Sequence, residues 1–162
     1  MCYIPPMIAD SLILPQTIVR PRSFAGLMTL YESNYLRLLR MAPALRDMRG
    51  EHVSRVNGDC DLHLSVLERT PYTSTLAMTY RFEEAGGIVA DPDLMVRVYF
   101  DGCLAEAMRL TEEHHHELFR RLASEFRSEL DSRWARNVML NKWLEYCLDR
   151  RHAFPAAARR AD

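Results

Sequence analysis

One lysine, six glycines and four cysteines in 162 residues leave several classes of protein without their raw material. Lys142 stands alone against twenty arginines. Schiff-base or general-base chemistry on an amine therefore has one candidate, since arginine keeps its charge at every accessible pH. Genomic base composition produces the same bias without any site chemistry. Cys2, Cys60, Cys103 and Cys147 are dispersed and form no C-x-x-C pair. Dispersed thiols of this kind read as small buried hydrophobes in a reducing compartment, and they predict a cytoplasmic protein. No run approaches the roughly 20 apolar residues of a membrane span. The stretch from Met1 to Val19 lacks a basic start and is interrupted by Pro5, Pro6 and Pro15, so neither a signal peptide nor an anchor is expected. A formal net charge of −1 supplies no global positive field, and nucleic acid is not an expected partner. There is no G-x-S-x-G elbow, and the one glycine pair, Gly86-Gly87, lacks the Lys-Ser/Thr ending of a phosphate loop. The pattern requires no cofactor.

What is present is enough for one well-filled domain: 48% of the residues are hydrophobic and 27% charged, and a chain of this length buries about two-thirds of its unfolded surface. Residues 1–22 hold four of the eight prolines and read as an extended apolar arm. Its apolar pairs Ile13-Leu14 and Ile18-Val19 call for a surface to lie against. Residues 23–152 read as the domain, and 153–162 as a loose tail. Ser23 is an expected helix cap, followed at helical spacing by Leu27, Leu30, Tyr31, Asn34, Tyr35, Leu38 and Leu39, with Pro43 ending the helix near Met41.

Alternation then takes over. Asn57-Gly58 and Asp101-Gly102 are expected two-residue hairpin turns. Five strands follow from these signals: 51–56, 59–68, 72–82, 94–100 and 103–110, with a loop over 83–93. The second turn pairs Val98 with Ala105, Arg97 with Glu106 and Val96 with Ala107. Helical period returns beyond Thr111 through Leu118, Leu122, Phe126, Leu130 and Trp134 to Leu148, with Asp131 or Ser132 able to cap a second helix. The expected fold is α+β: a five-stranded antiparallel meander covered on one face by an N-terminal helix and C-terminal helices.

Three features invite chemistry. In Glu112-Glu113-His114-His115-His116-Glu117, Glu113 with His116, or Glu112 with His115, sits at the Glu-x-x-His spacing of di-metal bundles. The facing carboxylates such sites need are missing, and acids at a solvated helix start are the simpler explanation. His63, with Asp61 and Glu68 on its strand, has the type of a general base but also of an ordinary strand residue. The polar sheet face carries Arg81, Arg97 and Arg109, and Arg97 opposite Glu106 reads as a cross-strand ion pair. The same guanidinium fork could hold an anionic ligand.

Four segments resemble the YqiB-like family of uncharacterised bacterial proteins, a domain of unknown function: Tyr31 to Arg40 (YESNYLRLLR), Leu67 to Leu76 (LERTPYTSTL), Met95 to Asp101 (MVRVYFD) with Ala105-Glu106, and Asn141 to Leu148 (NKWLEYCL). The resemblance implies a small soluble bacterial protein and brings no reaction, cofactor or catalytic residue with it. The arm 1–22 extends beyond the family's usual start, and 114–127 reads as helix where similar proteins have an aromatic, proline-containing loop.

No catalytic residue is assigned. The expected function is that of a non-catalytic interaction protein, with a partner or a second copy meeting residues 1–22 or a sheet edge. The alternative is a small-ligand binder or enzyme built on Glu68, Arg69, Tyr72, Arg97, Asp101 and Glu106, which together offer acid, base and anion-holding groups.

Overall fold

The computed structural model describes residues 23–110 and 129–156. The expected arm 1–22, the Glu112–Glu117 run and the end of the tail lie outside them. Helix α1 spans Phe24–Met41, and Ser23 caps it as expected, its hydroxyl accepting from the Gly26 N–H at 3.0 Å. The buried residues Leu27, Leu30, Tyr31, Asn34, Tyr35 and Leu38 form one face. A 3-10 turn, Leu45–Asp47, leads into β1 (Gly50–Ser54), β2 (Asp61–Arg69), β3 (Thr73–Glu84), β4 (Gly87–Tyr99) and β5 (Leu104–Leu110). All neighbours are antiparallel and the spatial order is the chain order. Helix α2, Glu129–Asp149, returns across the same face as α1. Asp131 and Ser132 therefore lie inside a helix rather than capping one.

The alternation that predicted the strands also sets the core. Leu62, Leu64, Leu76, Met78, Tyr80, Leu94, Val96 and Val98 point to the helical layer and are fully buried, against Trp143, Leu144 and Cys147 of α2 and Leu38 and Met41 of α1. Helix α2 has buried residues around most of its circumference, Lys142 among them. The one lysine is thus an interior residue with a polar contact of its own.

Three turn expectations change. Residues 55–60 form a loop rather than a two-residue turn at Asn57-Gly58, and Ser54 pairs with Leu62. The 83–93 loop is strand on both sides of a tight turn, with Glu84 opposite Gly87. The proline that argued for a loop there, Pro92, sits at a bulge where Tyr80 alone faces Asp91 and Pro92, so its missing N–H costs no ladder bond. The β4–β5 register is as expected, Val98 with Ala105, Arg97 with Glu106, and Val96 with Ala107. The left-handed residue of that turn, however, is Cys103 at φ 53°.

Small side chains on β5 let the helices close over its edge. Ala105 and Ala107 are buried. Asn34 of α1 donates to the Ala105 carbonyl at 3.4 Å, and Asn137 of α2 accepts the Ala107 N–H at 2.8 Å. Asn34 also donates to Asn137 at 3.3 Å and accepts from Asn141 at 2.9 Å. Two buried amides, Asn34 and Asn137, thereby satisfy backbone groups that an edge strand would otherwise leave open, and Asn141 holds Asn34 in place.

Candidate functional site

Among the described residues, the face of the sheet turned away from α1 and α2 carries a row of polar residues across four strands. A bulge at Leu67 shifts the β2 register so that Glu68, not Leu67, stands opposite Thr75. Thr75 pairs with Arg97, and Arg97 with Glu106. The expected Arg97–Glu106 pair is opposed in register, but its charges are distributed differently. Arg97 Nε donates to Thr75 Oγ1 at 3.3 Å, and its Nη2 lies 3.8 Å from Glu68 Oε2. Glu106 Oε1 instead accepts from the Tyr99 hydroxyl at 2.8 Å. Burial, with the Glu106 carboxylate beside it, pushes the Tyr99 phenol above its ordinary value, while Arg97 works against the shift. At β5, the edge strand, the row is not clear of the helices: Tyr31 of α1 faces the same carboxylate, and its pKa is raised to about 12, chiefly by burial.

Three of the six candidates, Glu68, Arg97 and Glu106, thus share a row. The other three do not join it. Arg69 donates to the Arg46 carbonyl at 2.7 Å, and Arg46 donates to the Pro71 carbonyl at 3.2 Å while lying over the Phe100 ring, so Arg69 ties the 3-10 turn to the β2–β3 turn. Tyr72 is 60% exposed at that turn, near the equally open Leu67. Asp101 accepts from the Gly102 N–H at 2.9 Å within its own turn. Tyr99 was missed, although it lies two residues from Arg97 on an alternating strand and therefore on the same face. His63 is half-buried opposite Val53 and Thr79, its pKa lowered by burial and by Arg81.

A second polar cluster lies inside the protein, and no candidate belonged to it. Asp59, from the 55–60 loop, has a fully buried side chain that receives four donors. The Cys60 N–H and the Tyr146 hydroxyl reach Oδ1 at 2.9 and 3.3 Å, and the Tyr80 hydroxyl and His152 Nε2 reach Oδ2, both at 3.1 Å. Burial alone would raise the Asp59 pKa; hydrogen bonds from His152, the Cys60 N–H and Tyr80 outweigh it and hold the carboxyl below its ordinary value. His152 Nδ1 meets Ser54 Oγ at 3.0 Å, and that oxygen also takes the Ala153 N–H at 3.1 Å. With Nε2 donating to the carboxylate, Nδ1 is the acceptor and the serine hydroxyl its donor, an assignment made from the network. Burial pushes the Cys147 thiol up to about 12, so it stays protonated beside the Tyr80 oxygen, 3.2 Å away.

Ser54, His152 and Asp59 are the residue types of a nucleophilic triad. Their connectivity is reversed, with serine on Nδ1 and aspartate on Nε2. All three side chains are buried. What they do is hold the segment after α2 against β1 and the 55–60 loop, a grip that Phe154 extends by donating its N–H to the Met41 carbonyl at 2.8 Å.

Glu113 and His116 lie outside the described residues, within which no group of three or more His, Cys, Asp or Glu could hold a metal ion. Cys103 and Cys147 are free thiols, but Cys60 is disulfide-bonded, which corrects the expectation of uniformly reduced cysteines. No helix of the described residues is long and apolar enough to cross a membrane.

Among the described residues, fold and clusters together define a small α+β protein: an antiparallel meander with α1 and α2 on one face, a polar hub beneath them and a charged row on the other face. The chain belongs to the family of proteins of unknown function DUF1249, whose model matches residues 37–153. No curated protein and no solved structure matches it.

Proposed function

We propose that this is a non-catalytic interaction protein that binds through the face of its sheet opposite α1 and α2. The observation that supports this most is the contrast between what is sealed and what is reachable. The serine, histidine and aspartate that could serve covalent chemistry are buried and committed to one another. Within a partner's reach are Glu68, Arg97 and the exposed Leu67 and Tyr72. Exposed apolar groups beside charged ones suit a protein contact. The edge of β5 is met by Asn34 and Asn137, so among the described residues β1 is the edge that strand addition would use, short of Ser54, which His152 and the Ala153 N–H occupy.

On this reading the protein works in the bacterial cytoplasm and is affiliated with the YqiB-like group through the four segments quoted above. The free Cys103 and Cys147 agree with that compartment and the disulfide at Cys60 does not. A thiol titration of protein taken directly from cells decides between them: four free thiols support the cytoplasm, two overturn it.

The functional test is crosslinking followed by quantitative mass spectrometry on cells carrying the full chain or its Leu67→Asp/Tyr72→Asp variant. Loss of a specific crosslinked protein, or of a second copy, from the variant at unchanged folding is the expected result. Identical crosslinks from both, or turnover of a substrate that disappears with Arg97→Gln, overturns the reading.

A further inference from the structure

The charge arithmetic of the row opposite α1 and α2 leaves its arginine underused. Arg97 stands between two carboxylates in register, Glu68 across β3 and Glu106 directly opposite. A guanidinium so placed ordinarily forms a bidentate pair with one of them. Here it does not. Tyr99 draws the Glu106 carboxylate to its hydroxyl at 2.8 Å, and Glu68 approaches only one nitrogen, at 3.8 Å. Thr75, itself buried, takes Nε and fixes the guanidinium in place. Among the described residues, the end-on edge formed by Nη1 and Nη2 has that long contact and the Tyr99 hydroxyl as its neighbours, with Arg97 34% and Glu68 63% exposed.

We propose that Arg97 is the docking point for a carboxylate side chain on an acidic segment of a partner protein, and that Glu68 is the chain's own weak occupant of that position. The inference rests on the interaction reading above and names the partner's chemistry. A held guanidinium with a partly open edge selects a planar anion. Leu67 and Tyr72, 54% and 60% exposed at the same β2–β3 end, favour a peptide over a small acid, because a small acid leaves both uncovered. Glu68 serves as a placeholder: it neutralises Arg97 in the free protein and moves aside, at little cost for so exposed a pair, when a better-placed carboxylate arrives.

This assigns opposite effects to the two partners of one ion pair. The test is fluorescence anisotropy of the full chain with a short capped peptide of glutamate and leucine, its glutamine-for-glutamate counterpart, and glutarate as competitor. The acidic peptide binds and the glutamine peptide does not. Glu68→Gln tightens binding by up to about fivefold, the worth of an exposed ion pair, and Arg97→Gln weakens it by about tenfold or more. Added salt weakens the acidic peptide's binding. Thermal melts of both variants check that folding is unchanged. Weaker or unchanged binding by Glu68→Gln overturns the placeholder role, and equal binding of the two peptides overturns the carboxylate. Displacement by glutarate at concentrations matching the peptide overturns the choice of a protein segment. No binding by any form overturns the inference alone, since crosslinks lost in the Leu67/Tyr72 variant would still stand for the interaction reading.

Discussion

Two contacts between a carboxylate and a nitrogen base differ in nearly every physical respect. Asp59 and His152 meet at 3.1 Å with both side chains wholly buried, among further donors from Tyr80, Tyr146 and the Cys60 N–H. Glu68 and Arg97 meet at 3.8 Å with both side chains partly open to solvent. The first has replaced every water contact of its carboxylate with a protein donor, so removing it strands several groups at once. The second has exchanged little and can be rearranged freely. The residue types resemble one another, but burial divides them between holding the fold together and being available to a partner.

Asp59→Ala should break the comparison most visibly. It leaves Tyr80, Tyr146, His152 and the Cys60 N–H without their acceptor, and a loss of about 3–5 kcal/mol in a urea titration is expected. Asn137→Ala comes next: it strands the buried Ala107 N–H and removes one of the acceptors of the Asn34 amide, for about 1–3 kcal/mol by the same titration. The pH dependence sharpens the contrast further. The folded Asp59 pKa is depressed below the ordinary 3.8, so the unfolded state binds the proton first as pH falls. The stability Asp59 contributes is therefore fully present above 3.8 and drains away as pH drops through the lower folded value. Stability curves from pH 6 downward should show this acid leg in the wild type and lack it in Asp59→Asn. Arg97→Gln is the smallest effect, below about 1 kcal/mol at any of these pH values.

Periodicity was sufficient for the strand order, the α1 boundaries and the β4–β5 register, because an alternating apolar face and a capped helix are local signals. It read Asn34 as one more residue of an apolar stripe. The partner groups that make Asn34 useful, Ala105 and Asn137, are brought to it only by the fold. The 83–93 segment misled because Gly86-Gly87 and Asp91-Pro92 carry turn chemistry, whereas the bulge opposite Tyr80 makes room for the proline within a strand. In the row, Glu68, Arg97 and Glu106 were legible from alternation and hairpin counting, and Tyr99 was within reach of the same count. The Asp59 hub was not legible. His152 follows Asp59 by 93 positions, and neither residue belongs to a pattern until α2 and the residues after it fold back onto β1.

The buried hub holds the fold, and the charged row is spared that task. Parallel urea midpoints for wild type, Asp59→Asn and Arg97→Gln at neutral pH test this most directly. A midpoint far below wild type for Asp59→Asn, with Arg97→Gln within error of wild type, is the predicted result. Comparable losses in the two variants, or the larger loss from Arg97→Gln, would contradict it.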